Sequence, residues 1–374
     1  MSTSEPLPKD ELERLVAQVN AYMTNPVTNG VVGGSAKAKP RFEAYHASLS
    51  LCSHKVRTVL AEKQQPYTSH AMNIMPSGKF IPHNYRPAYV RLRLKAAQQA
   101  AFVEGYSGAS AVTVEGVDPL VVPTLVDHEA GKVIIDSRAI CEHVAKSVDT
   151  GTDLLPDDLL GDIDAMTTHV DHLPHVALMY GAHPEKDNRP KGLINGITGI
   201  HAKKLRAAQA VLDQLSPDSE LRPAYEAKIK KEKAAAGFVI DADSMRAAHD
   251  AGRAHIATLD DQLKQSGGPW IFGDRFTMAD IQWTISVYRL KWLGNGEWWE
   301  AGSGRERVAD YYARASERPA FKQAVVDWKY AYSPSPYIEK WASSGMMAKF
   351  LLHAARETEL REVMFGSKLA LEPA

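Results

Sequence analysis

The groups able to do chemistry sit in a few short stretches. In SLCSHKVR, the hydroxyl of Ser50 and the thiol of Cys52 stand at the start of an apolar-periodic segment. If that segment is a helix, its free N–H groups and dipole stabilise an anion there. Such a place lowers a thiol pKa from about 8.5 to roughly 3.5–7.5 in known cases, which populates the nucleophilic thiolate. The same thiol would also serve as a small buried hydrophobe. Further on, Val122-Pro123-Thr124 enters a strand candidate. Proline cannot donate to a sheet ladder, and a cis bond would leave the Val122 backbone to pair with a bound peptide. Asp136-Ser137 then opens a second helix. Ser137 with the helix N–H groups could hold a carboxylate, and Asp136 an ammonium. Alone, these two read as an edge proline and an ordinary N-cap; after a Ser-x-Cys helix start, their joint occurrence is hard to obtain by accident.

The elements that must position these groups form a small α/β unit over residues 41–150. RFEAYH alternates as a strand does, and Ser50 suits the N-cap of the helix that follows. Cys52, Val56, Val59 and Leu60 share one helical face. YTSHAMNIM is a second strand, and VVPTLVD, HEAG and KVII form a hairpin. The closing helix turns Ile140, Cys141 and Val144 inward, which makes Cys141 a packing residue. The order is β-α-β-link-β-β-α. The link, 76–118, reads as irregular, with Arg91, Arg93 and Lys95 on a solvated strand-to-helix face.

On either side lie additions. Residues 1–40 look like an arm: a helix over Asp10 to Met23, then a linker rich in Gly, Pro, Asn and Ser. Residues 151–330 are helical in pattern, with Ile256, Leu259 and Leu263 on one face. Thr277 with Asp280 resembles a capping box, followed by the stripe Ile281, Ile285, Tyr288, Trp292. The stretch 185–250 reads as a polar insertion whose KKEK run (230–233) is solvated. Residues 331–374 form a C-terminal extension with an amphipathic helix candidate from Ile338 to Leu352.

Composition bounds the function. The chain has 374 residues, with 44 basic against 45 acidic side chains and a net charge of −1. That balance argues against nucleic acid as a partner. No apolar run nears the roughly 20 residues that span a bilayer, and the N-terminus lacks a secretory pattern, so a cytoplasmic protein is expected. Two cysteines make neither a disulfide framework nor a four-thiolate zinc site. His169, His172 and His175 lack the i,i+4 spacing of helical ligands, and no metal is expected.

The ordered set SLCSHKVR, VPTL, DSRAI and GPWIFGDRFTMADI (268–281) resembles the cytosolic glutathione transferases. The resemblance covers about residues 41–330. It implies an α/β thioredoxin-like N-terminal domain and an all-α C-terminal domain. It also implies glutathione as co-substrate, bound by Ser50, by the Val122 backbone beside cis-Pro123, and by Asp136 and Ser137. A homodimer is implied as well. Within the family, Ser50-x-Cys52-Ser53 is similar to zeta-like members and to reductive dehalogenases of halogenated hydroquinones. Likeness to the latter extends through 116–129, 151–156, 174–184 and 199–204.

The implied chemistry is reductive dehalogenation of a halogenated hydroquinone or phenol. Glutathione displaces halide, and Cys52 attacks the resulting aryl thioether at sulfur. A second glutathione then resolves the Cys52 mixed disulfide. Ser50 would donate to the first glutathione thiolate. The aromatic would sit between the domains, with His175, Tyr180, Trp283 and Arg289 as candidates; Arg stabilises a phenolate without titrating, and Trp283 also fits a core stripe. The alternatives are another family reaction (aryl-ether cleavage, glutathionyl-hydroquinone reduction, zeta-like isomerisation) or a non-catalytic protein that binds glutathione or a hydrophobic ligand.

Overall fold

The computed structural model describes residues 5–24, 28–97 and 100–328, together with 362, 366, 367, 369 and 371. The helix expected from Ile338 to Leu352 lies outside the described residues.

The strands are Asn29–Val32 (β1), Phe42–His46 (β2), Tyr67–Ala71 (β3), Thr124–Asp127 (β4) and Lys132–Ile135 (β5), ordered β1-β3-β2-β4-β5 in one sheet. β2 and β3 run parallel, joined by the crossover helix Leu51–Glu62 (α2); the other pairings are antiparallel. Preceding β1 is Lys9–Asn20 (α1). Between β3 and β4 lie Pro87–Leu94 (α3) and the single turn Val112–Glu115 (α4), and after β5 comes Ser137–Ser147 (α5). The remaining chain is helical: Leu160–Asp171 (α6), His175–Tyr180 (α7), Lys191–Ile197 (α8), Ile200–Leu212 (α9), Arg222–Phe238 (α10), Ala242–Ser266 (α11), Met278–Trp292 (α12) and Glu306–Ser316 (α13).

One core joins the two halves. The apolar faces of α2 (Val56, Val59, Leu60) and α5 (Ile140, Cys141, Val144) pack with Ile281 and Ile285 of α12. At the start of α12, the Thr277 N–H donates to Asp280 at 2.8 Å, completing the capping box expected there.

Three readings from sequence change. The arm is not an appendage: Leu12, Leu15, Val16 and Val19 of α1 are buried against Tyr45, Tyr89, Leu92 and Val126. Burying such side chains stabilises by about 1.5–3 kcal/mol each. The expected linker also contains β1, which pairs with the free edge of β3. A four-residue edge strand needs little propensity of its own when a neighbour supplies the ladder.

The link is not irregular throughout, and Arg91 and Arg93 are not solvated: both are buried on α3, 6% and 2% exposed. An arginine tolerates this when backbone carbonyls take its donors. Arg93 Nη1 donates to Pro123 O at 2.7 Å, and Nη2 donates to Asp118 O at 3.1 Å.

The 185–250 insertion is helical, and its α9–α10 hairpin packs on the link. Ala207, Val211, Leu221 and Tyr225 meet Ile81, Tyr85, Val90 and Leu120, and the Tyr225 hydroxyl donates to Tyr85 O at 2.6 Å. Only half of KKEK is solvated. Helical period leaves Lys230 and Lys233 exposed but turns Glu232 inward, 3% exposed.

Candidate active site

The N-terminus of α2 opens on a cavity of about 480 Å³, within the size range of small-molecule sites. Ser50 is the N-cap, its Oγ accepting from Ser53 N at 3.3 Å, and Ser53 Oγ accepts from Ala47 N at 3.1 Å. Beneath this turn lies the buried guanidinium of Arg57, which donates to Ala47 O and Ser48 O, both at 3.2 Å. Cys52 is half-buried and lines the cavity, with Sγ 3.5 Å from Ser110 Oγ. Cys141 is fully buried, and burial pushes its thiol pKa far up, which leaves it inert.

The second and third motifs reach the same cavity. Val122–Pro123 is a cis peptide. Around it, Arg93 holds Pro123 O, and the Tyr89 hydroxyl donates to Val121 O at 3.0 Å. Asp136 caps α5: its Oδ1 accepts from Arg138 N (2.9 Å) and Ala139 N (3.2 Å), while Oδ2 accepts from Val112 N at 3.1 Å. Its φ of 71° lies in the left-handed region, which Asp tolerates better than most residues. Much of the accepting capacity assigned to an ammonium is therefore already used. Ser50, Cys52, Val122, Pro123, Asp136 and Ser137 all line the cavity.

Across from them stand three of the four residues expected to meet an aromatic. Arg289 of α12 is buried and donates to Leu49 O and to Met179 Sδ. Among the described residues its Nε has no partner and no carboxylate pairs with it. Burial pulls its pKa down from the usual arginine value. His175 Nε2 lies 3.1 Å from Ser286 Oγ, and that hydroxyl already donates to Gln282 O at 2.8 Å. The imidazole must therefore donate from Nε2, leaving Nδ1 as a bare acceptor, and Nδ1 has no partner among the described residues. Burial, with Lys55 and Arg289 nearby, holds its pKa well below 6.5, so the ring is neutral. Tyr180 accepts from Lys204 Nζ at 3.1 Å.

Trp283 is not brought to the site. It is fully buried in the helical core, with Nε1 donating to Met166 O at 3.2 Å. Its place on a helix buried along most of its length explains why the stripe was ambiguous.

Sequence reasoning missed the share of the wall that the link and the insertion supply. Tyr106, His201, Lys204, Lys228, Lys231 and Glu232 all line the cavity. Lys228 Nζ lies 2.8 Å from both Asp118 and Glu232, Lys231 Nζ 2.7 Å from Glu115, and His201 Nδ1 2.7 Å from Glu232. The only signal available was spacing: His201 with Lys204, and Lys228 with Lys231, recur every three residues. Ser110 gave none.

The glutathione S-transferase N-terminal domain profile matches residues 49–147, and the C-terminal domain profile matches residues 236–314. A 2,5-dichlorohydroquinone reductive dechlorinase of Sphingobium indicum is 44% identical over 295 residues, 78% of this chain and 84% of its own. The tetrachloro-p-hydroquinone reductive dehalogenase of Sphingobium chlorophenolicum is 26% identical over 292 residues, 78% of this chain and 98% of its own. The crystal structure of the beta-etherase LigF from Sphingobium sp. strain SYK-6 shares the fold, with a TM-score of 0.51 at 14% identity over 77% of this chain and all of the other. The chain belongs to the glutathione S-transferase family and is an enzyme.

Proposed function

We propose that this enzyme removes halide from a halogenated hydroquinone at the expense of two glutathione molecules. The observation that carries the reading is the Cys52 thiol at the α2 N-terminus, lining the same cavity as the Arg289 guanidinium, which pairs with no described carboxylate, and the His175 acceptor. The 44% identity to a reductive dechlorinase supports the substrate class.

Glutathione lies along the sheet-side wall. Its backbone pairs with Val122, whose own N–H and C=O bond to no other described residue. Its carboxylate meets the Ser137 turn and the first N–H groups of α5. Ser50 donates to its thiolate. The hydroquinone rests against Arg289, which stabilises a phenolate oxygen, while His175 Nδ1 accepts a hydrogen bond from a ring hydroxyl.

After tautomerisation of the ring to a ketone, the glutathione thiolate forms a carbon–sulfur bond and halide leaves. The Cys52 thiolate then attacks the thioether sulfur. The carbon–sulfur bond breaks, its electron pair and a proton remain on the ring, and a Cys52–glutathione disulfide forms. A second glutathione thiolate releases glutathione disulfide and restores Cys52. The balance is one haloarene and two thiols giving one arene, one disulfide and one hydrogen halide. The protein acts in the cytoplasm as a homodimer in this reading.

The test is incubation with glutathione and a panel of halogenated hydroquinones, read by halide release and product mass. Free dehalogenated product from the wild type, and a glutathionyl-aromatic from Cys52→Ser, are expected. Normal release of free product by Cys52→Ser would sink the mechanism.

A further inference from the structure

Lys204 of α9 differs from the other two lysines of the wall. Lys228 and Lys231 are neutralised by Asp118, Glu232 and Glu115. For Lys204, no carboxylate lies within 4.0 Å among the described residues. Its ammonium instead donates to the Tyr180 hydroxyl at 3.1 Å and lies 4.3 Å from that ring's centroid.

This contact fixes the direction of the Tyr180 proton. An ammonium has donors and no acceptor, so the Tyr180 oxygen must accept from it. The phenol's own O–H then points elsewhere, and no described residue takes that proton. Since Tyr180 lines the cavity, its O–H is a donor backed by a cation, the arrangement that stabilises negative charge on an oxygen. Nearby, His201 Nε2 and the Tyr106 hydroxyl are buried, line the same wall and have no partner among the described residues. Buried polar atoms without a partner call for an explanation, and these two lie on the wall of a cavity. Arg289, on a different element, brings to the same cavity a second cation with no carboxylate within 4.0 Å among the described residues.

We propose that Tyr180 donates to a second ring oxygen of the substrate, with Lys204 as the positioning residue that fixes the Tyr180 proton, so that the site selects dihydroxylated over monohydroxylated haloaromatics. One ring oxygen lies at Arg289 and the other at the Tyr180–Lys204 pair. The selectivity comes from the insertion, because α9 supplies the lysine. The inference rests on the dehalogenase reading for its chemistry, while its binding claim stands apart from turnover.

The test is binding without glutathione, where no turnover occurs. Calorimetry under anaerobic conditions compares 2,5-dichlorohydroquinone with 2,5-dichlorophenol, which lacks the second hydroxyl. The wild type favours the diol by about tenfold or more, as a site built to pair a hydroxyl does. Tyr180→Phe and Lys204→Met each lose most of that preference while their near-ultraviolet circular dichroism and glutathione affinity stay unchanged. Lys204→Arg retains it. Equal binding of both ligands by the wild type, or an intact preference in a folded Tyr180→Phe or Lys204→Met, overturns the proposal. A wild type that prefers the diol yet releases no halide with glutathione supports this inference and refutes the dehalogenase reading. Halide release without the preference does the reverse.

Discussion

The sheet-side wall of the cavity and its insertion-side wall are built on different plans. On the sheet side, every candidate group lies at an element's end. Ser50 and Cys52 open α2, Pro123 precedes β4, and Asp136 and Ser137 open α5. Backbone N–H groups at helix starts line this wall, so neighbours in sequence are neighbours in the cavity. On the insertion side, side chains converge from α4, α7, α9 and α10 and from the link. Their charges compensate across more than 100 residues, as Lys228 and Asp118 do at 2.8 Å. The first wall is a chemistry of termini and the second a chemistry of buried pairs. The lesson is that damage to the first should strike turnover, and damage to the second stability and substrate choice.

The sharpest test of that contrast is Cys52→Ser. Turnover to free product should fall by roughly a thousandfold or more, as when a covalent nucleophile is lost, with urea stability nearly unchanged. A variant that is unstable would break the comparison.

Next in size is Lys228→Met, which leaves Asp118 and Glu232 buried with fewer counter-charges. A loss of about 3 kcal/mol in urea unfolding at neutral pH is expected. The pH profile sharpens it. Burial alone would raise the Asp118 pKa, but Lys228 and Lys231 outweigh that and hold it at about 2, below the ordinary 3.8. A depressed folded pKa stabilises above the unfolded value and is lost as pH falls towards the folded one. The wild type should therefore lose about 2 kcal/mol from Asp118 between roughly pH 4 and 2, and Lys228→Met less.

Arg93→Met lies between the two plans, because this arginine of the link holds the Pro123 and Asp118 carbonyls. Stability should drop by about 2 kcal/mol as the carbonyls lose a charged donor. Glutathione affinity should weaken too, in calorimetry. An unchanged affinity would mean that the Pro123 turn needs no support from the link.

The smallest effect is expected from Ser110→Ala. Its oxygen is 3.5 Å from Cys52 Sγ, at the long end for a thiol contact, and Ser110 is exposed. Alkylation of Cys52 by iodoacetamide should change by less than about threefold. A larger change would make the link part of the thiol's environment.

Legibility followed the same division. The α2 and α5 starts, the hairpin, the inward Cys141 and the capping box at Thr277–Asp280 are local, set by periodicity and by who caps whom, and all were readable from adjacent residues. The Asn29–Val32 strand was not, because Asn29, Gly30, Gly33 and Gly34 around its two valines read as a linker; the open edge of β3 recruits it. Nor were Arg91 and Arg93, whose charge suggests water until α3 is seen packed on both sides. Trp283 could be read as core or as site, since α12 mixes apolar and polar residues around its whole circumference, and its neighbours decided for the core.

The amino-acid sequence by itself determined the Ser-x-Cys helix start and the capped helices, because hydrogen bonds to the nearest backbone groups decide them. Only the tertiary structure decided that link and insertion form one wall, that Lys204 answers to Tyr180 while Lys228 answers to carboxylates, and that His175 keeps Nδ1 bare. Those outcomes depend on which distant groups share a low-dielectric interior, where an unpaired charge is costly, and no local pattern encodes that pairing.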